Sequence, residues 1–232
     1  MNPQALAIAA ITMLASTSAS LAAPPFADKT PDGENLEVRP EHGSLGTVYY
    51  SLSRRDKQVY FESNAPLEDI KGQSDRVLGY VIAESDENLV AGEWHLPVRS
   101  LRTGIELRDD HLYEKQWLWA NEHPDVIFQL ERVADLTTER SGTGFRTYRG
   151  TLVGDLTLRG VTLPRIIENA TLTFLDESER TRAVAPGDLL QIRASFDVPL
   201  GEHEVSNVAI DNGKVAQVVE LDIVLYMSTQ RP

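Results

Sequence analysis

The chain has 232 residues, 22 Lys+Arg against 35 Asp+Glu for a formal net charge of −13, 41% apolar residues and no cysteine. This balance excludes a polytopic membrane protein and a wholly disordered chain, and the acidic excess repels phosphate backbones, so no nucleic-acid partner is expected. Without cysteine there is no disulfide, no thiolate nucleophile and no Cys-ligated zinc or iron–sulfur cluster.

Residues 5 to 15 form an apolar stretch, followed by the small, polar run Ser16 to Ser20. At about 1.5 Å per helical residue it is too short to cross a ~30 Å hydrocarbon core. It reads as a secretory signal peptide over residues 1–22, with Ser20 and Ala22 at the −3 and −1 positions of the cleavage site, although Met1-Asn2-Pro3-Gln4 carries no Lys or Arg. A short buried N-terminal helix is the alternative. A periplasmic or secreted location is therefore expected, with no stable membrane insertion, and an exported chain without disulfides must draw its stability from its core. Residues 23–45, with four prolines and two glycines, read as a flexible segment ahead of one domain over residues 46–230.

From there the dominant period is two. Candidate strands follow in order: Thr47 to Leu52, Val59/Phe61, Val77 to Ala83, Val90 to Val98, Val126 to Leu130, Tyr148 to Leu158, Ile166 to Phe174, Leu190 to Val198 and Val215 to Met227. The alternation is clearest in the last two, whereas Glu168 intrudes on the apolar side of the Ile166 run. Gly142-Thr143-Gly144, Arg159-Gly160, Pro186-Gly187-Asp188 and Asp211-Asn212-Gly213 supply turns. About nine one-faced strands predict an antiparallel sheet closed into a barrel or stacked as a sandwich. Only Arg108 to Glu122 breaks the period, with Leu112, Tyr113, Trp117 and Leu118 at helical spacing and Pro124 closing the stretch, so one helix is predicted there. The charged connection 176–188 carries no readable role.

Catalytic signatures are absent: there is no Gly-x-Ser-x-Gly elbow and no phosphate-cradling glycine loop. The five histidines, His42, His95, His111, His123 and His203, form no His-x-His or His-x-x-x-His pair, and no metal or cofactor is expected. Arg108-Asp109-Asp110-His111 is the densest polar cluster. An acid/base or metal site is one reading, but three ligands within one turn cannot converge on one ion. The expected role is structural, with Asp109 or Asp110 capping the helix and Arg108 as partner. His95 lies with Glu93 on the polar phase of its strand and is expected on a solvated face. Asn169-Ala170-Thr171 matches a glycosylation sequon but falls within a strand. Eight strands would enclose an interior that side chains fill or that holds one slender apolar ligand.

Four runs, Ala65 to Gly72, Val98 to Leu112, Glu122 to Phe128 and Gly150 to Pro164, resemble in order and spacing the blocks of the YceI-like family, among them Ser100-Leu101-Arg102-Thr103-Gly104 and Arg108-Asp109-Asp110-His111-Leu112. The resemblance spans about residues 46 to 229 and implies an all-β fold: an antiparallel eight-stranded lipocalin-like barrel with one helix packed across or beside it, holding an isoprenoid lipid. Arg108, Asp109, His111 and Pro124 carry over as motif residues with a structural role. The ligand-binding set is then the inward-facing Val81, Trp94, Leu96, Phe128, Leu156, Leu172, Phe174, Ile192, Phe196, Ile223 and Leu225. Arg54-Arg55, Arg99 and Arg102 are the basic residues considered for a head group, and Trp117-Leu118-Trp119, unusual for the family, could narrow or plug the mouth. The favoured function is a periplasmic carrier of an isoprenoid or other apolar small molecule, not an enzyme. The alternative is a packed-barrel interaction module of the envelope; a lipid-modifying enzyme using Arg108 to His111 ranks last. A homodimer is compatible with the sequence.

Overall fold

The computed structural model describes residues 35–52 and 58–232. The expected leader, most of the 23–45 segment and Arg54-Arg55 lie outside the described residues.

The described residues form ten strands: β1 (Thr47–Ser51), β2 (Val59–Asn64), β3 (Asp69–Ser74), β4 (Leu78–Ser85), β5 (Asn88–Pro97), β6 (Asp125–Gly142), β7 (Phe145–Leu158), β8 (Val161–Leu175), β9 (Leu189–Pro199) and β10 (Val218–Ser228). All pairings between them are antiparallel. Following the pairings gives β1-β4-β5-β6-β7-β8-β9-β10, and β10 returns to β1 at Met227 and Ser228, closing an eight-stranded barrel. The β2–β3 hairpin prolongs the wall at one end, because β10 pairs β2 through Glu220 to Ile223 before it reaches β1 at Met227. β3 was not among the expected strands: Ile70 is the one large apolar residue in Asp-Ile-Lys-Gly-Gln-Ser, so no alternation marks it.

Two irregular strands explain where the period fails. At Asn169, which has φ 58°, a register break between Gly150 and Leu152 lets one extra residue into β8. The buried positions become Ile167 and Ala170, three apart, and Glu168 turns outward, so its intrusion is a bulge and not a buried charge. β6 has three such breaks, one around Asp135 at φ 52°, which is why only its first third showed the pattern.

The barrel's two ends differ. The end holding the β4–β5 and β6–β7 turns is packed: Val81, Leu172, Leu190 and Met227 are buried, and Phe174 sits edge-on between Tyr49 (5.9 Å) and Tyr148 (6.1 Å). The 176–188 connection runs at this end. It forms the short α2 (Glu179–Arg182), capped by Ser178 with Thr181, and packs Val184 and Ala185 against Leu52 and Leu189. Asn35 is fastened to the barrel by hydrogen bonds to Ser51 (2.8 Å) and from Gly79 N (2.7 Å), and the segment after it reaches the Tyr80 hydroxyl through Arg39 N and His42.

The opposite end gathers the β2–β3 turn, α1 (Glu106–Leu112), the β7–β8 turn, a helical turn at Leu200–His203 and α3 (Val208–Asp211). The expected helix from Arg108 to Glu122 is shorter than its periodicity suggested. It ends at Leu112, and residues 113–122 fold back in turns, with Leu118 N donating to Leu112 O and Ala120 N to Tyr113 O. This reversal buries Tyr113, Leu118 and Ala120 together against Leu156 and Leu158, which a continuing helix would have splayed around its circumference. Trp119, at φ 51°, marks the reversal.

Candidate functional site: an apolar chamber open at one end

Between the packed end and α1 the barrel is hollow. A deep chamber of about 100 Å³ meets a larger one of about 450 Å³ beneath α1 and α3, and both share Val59, Leu96, Val126, Leu156 and Leu221 in their walls. The combined space is within the size range of sites for small ligands.

The deep chamber exists because of where rings and glycines fall in register. Trp94 is paired with Gly79 on β4 and Phe128 on β6, and a Cβ at Gly92 would come within 2.9 Å of the indole. Glycine there lets the indole lie along the wall instead of filling the interior. Phe128 stacks with Trp94 at 6.1 Å between centroids. Among the expected ligand-binding residues, Trp94, Leu96, Phe128, Leu156, Ile192, Phe196, Ile223 and Leu225 line this chamber. Val81, Leu172 and Phe174 do not: their end of the barrel is filled by the aromatic packing described above, so they are core. Trp94 Nε1 is buried with no hydrogen-bond partner, a donor left in an otherwise apolar wall.

The larger chamber is walled largely by residues that strand periodicity could not single out, among them Leu101, Leu112, Leu200 and Val205 from the connections and Ile70 from the hairpin, together with Phe61 and with Val215, which lies ahead of β10 and not in the strand expected to begin at it. Its polar lining is confined to Ser63, Glu68, Thr103, Arg108, His111 and Lys214.

The motif residues build this end. Asp109 is buried, and its carboxylate accepts from Thr103 N and Thr103 Oγ1, both at 2.7 Å. It is not the helix cap, as was expected of it or Asp110: the N-cap is Ile105, and Asp109 points back from the first turn to hold the 101–105 loop. Arg108 pairs with Glu68 at 2.5 Å, tying α1 to the β2–β3 hairpin and leaving both neighbouring aspartates without it. His111 and Asp110 are exposed. Pro124 is exposed too, and its carbonyl accepts from Val98 N at 2.8 Å, joining the two ends of the helical excursion.

Of the basic residues considered for a head group, Arg99 and Arg102 are spent elsewhere. Arg102 bonds the Leu101 carbonyl and the Tyr113 hydroxyl, and Arg99 bonds Asn121. Burial pushes the Tyr113 phenol up to about 12. Neither arginine lines a chamber, whereas Arg108, His111 and Lys214 do. Trp117 borders the larger chamber, but Trp119 is elsewhere, edge-on to His123 and under Lys115 and Arg159, so two tryptophans do not plug the mouth. On the outer wall His95 contacts Glu93 (2.9 Å) and Asp125 (3.4 Å) and is only 19% exposed, more enclosed than the solvated face expected of it. Among the described residues no group of His, Asp and Glu is arranged to hold a metal.

The model of the YceI-like domain matches residues 41–227. No curated protein matches the sequence. Among solved structures, BcnA of Burkholderia cenocepacia is similar with a TM-score of 0.55 and 16% identity, over 73% of this chain and 95% of that one. A polyisoprenoid binding domain from Saccharophagus degradans, implicated in plant cell wall breakdown, gives 0.54 and 14% over 78% and 97%. The YCEI protein of Campylobacter jejuni gives 0.50 and 14% over 84% and 97%. Likeness at these identities is likeness of fold.

Proposed function

The chain belongs to the YceI-like family, and on that premise we propose that it is an exported carrier that holds one slender apolar molecule, an isoprenoid lipid in the first instance, inside its barrel. The observation that carries this reading is the pair of apolar chambers with common walls, one at Trp94 and Phe128 deep in the barrel and one at the mouth beneath α1. An acyclic, branched hydrocarbon suits a narrow chamber whose polar groups stand only at the outer end, where Arg108, His111 and Lys214 would meet a polar terminus. The printed description of the Saccharophagus neighbour as polyisoprenoid binding supports the ligand class, and the leader pattern in residues 1–22 supports the periplasm as its place of action. Binding is favoured over catalysis because, in the Arg108 to His111 cluster, the Asp109 carboxylate is engaged by Thr103 and Arg108 by Glu68, which leaves His111 as the cluster's one acid/base group at the chamber.

The test is to extract the purified protein with organic solvent and analyse the extract by mass spectrometry, then to titrate the emptied protein with isoprenoid alcohols and follow tryptophan emission. A bound isoprenoid and saturable titration are expected. Empty extracts together with a flat titration overturn the reading and leave a packed interaction module.

A further inference from the structure

Four large apolar side chains stand exposed around the mouth: Leu67 at 70%, Ile105 at 49%, Leu107 at 67% and Val208 at 67%. They belong to three segments far apart in sequence, yet the segments are fastened together. Leu67 N donates to Gly213 O (2.9 Å), joining the β2–β3 turn to the chain after α3, and the Arg108–Glu68 pair joins that hairpin to α1. Ile105 and Leu107 also line the larger chamber, as does Ala209 beside Val208, so the exposed crown continues the chamber's apolar wall outward.

A single exposed leucine needs no explanation, but an apolar rim continuous with an apolar cavity marks an interaction surface. Its charge selects the partner. Asp69, Glu106, Asp110 and Asp211 flank the crown, against Lys214 and an Arg108 already paired with Glu68, on a chain of net charge −13. That balance repels anionic surfaces. No described helix is long and apolar enough to cross a membrane, so lipid contact through this crown is side-chain insertion at the surface.

We propose that the open end docks on a charge-neutral lipid bilayer, with Leu67, Ile105, Leu107 and Val208 seated in its interface, so that an apolar ligand passes between bilayer and chamber without crossing water. The proposal rests on the ligand-binding reading above, but its test is separate. The protein is floated with vesicles of phosphatidylcholine alone and with vesicles containing phosphatidylglycerol, at several salt concentrations. Neutral vesicles are expected to carry the protein up, and anionic ones to carry less, the deficit shrinking with salt. Leu67→Ser/Val208→Ser, at two exposed sites that line neither chamber, is expected to lower flotation about tenfold or more while retaining the wild-type circular dichroism and ligand content. Ile166→Ser, equally exposed on β8, is expected to float as wild type. Docking is overturned if neither vesicle binds, if the double variant floats unchanged, if Ile166→Ser loses as much, or if sedimentation shows that the crown instead pairs two copies. Flotation by a protein with an empty interior would keep the docking surface and remove the carrier reading.

Discussion

The indole of Trp94 and the ring of Phe128, partners across the β5–β6 pair, lie 6.1 Å apart and 25° from parallel along the wall of the deep chamber. Ala194 faces the same space of about 100 Å³ from β9. A ring added at 194 would occupy that space and stack near the pair. Ala194→Phe is expected to abolish saturable isoprenoid uptake while leaving the thermal midpoint nearly unchanged, whereas overpacking a filled core would cost about 1–3 kcal/mol. Trp94 and Trp117, two of the three tryptophans, border the chambers, so intrinsic emission is the readout. Undiminished uptake by the variant would exclude the deep chamber as the binding site.

Phe174 and Phe196 are both inward phenylalanines, but only Phe174 is packed on all sides. It is 1% exposed, between Tyr49 and Tyr148, while Phe196 borders existing empty space. Phe174→Ala is expected to lose about 3–5 kcal/mol in urea unfolding, because a new cavity is added to the lost burial. Phe196→Ala is expected to lose about half that or less. Equal losses would mean that the two ends are packed alike.

How much of this was legible depended on whether a residue's partners were set by strand phase. In β9 and β10 the phase is unbroken, and Ile192, Phe196, Ile223 and Leu225 were correctly read as inward. Phase could not distinguish a hollow from a filled stretch of the same interior, which is why Val81, Leu172 and Phe174 were grouped with the chamber residues. That difference arises from ring placement across strands far apart in sequence, as with Phe174 between Tyr49 and Tyr148. In β6, breaks in register space Leu130, Val133 and Leu136 by three, and a period of two cannot register them. The mouth was least visible of all: Leu101, Ile105, Leu200 and Val205 lie in connections, where only the closed topology brings them together.

Asp109 and His111 share one motif but do different work, and their variants should separate. The Asp109 carboxylate is buried and accepts two hydrogen bonds from Thr103, whereas His111 is exposed at the mouth. Asp109→Ala leaves the Thr103 donors unmatched and is expected to cost about 1–3 kcal/mol, with faster amide exchange confined to the 101–105 loop. His111→Ala is expected to stay within about 0.5 kcal/mol of wild type. Loss of stability at His111 with none at Asp109 would reverse this assignment.

The outer wall carries a pH-dependent fastening. Burial disfavours charge on both His95 and Glu93, but it is outweighed: Asp125 and Glu93 hold the imidazole above its ordinary 6.5, while His95 and Arg39 hold the Glu93 carboxyl below its ordinary 4.5. Arg39 reaches Glu93 at 2.5 Å, so the same cluster pins the segment outside β4 and β5. A base whose folded pKa is raised adds stability that is complete below 6.5 and is lost as pH climbs through the folded value. A carboxylate whose folded pKa is lowered adds stability that is present above 4.5 and fades as pH falls through its folded value. Buried His203 has the opposite slope to His95: burial pushes its imidazole down, and stability rises as pH increases toward and through 6.5. The total therefore mixes the two histidines, and only a difference isolates one. The stability gap between wild type and His95→Gln, measured by urea unfolding from pH 5 to 9, is expected to be widest near pH 5 to 6 and to narrow as pH rises through the folded pKa of His95. A gap that stays constant across that range would mean that His95 is neutral in the fold and that its contacts with Glu93 and Asp125 are ordinary hydrogen bonds.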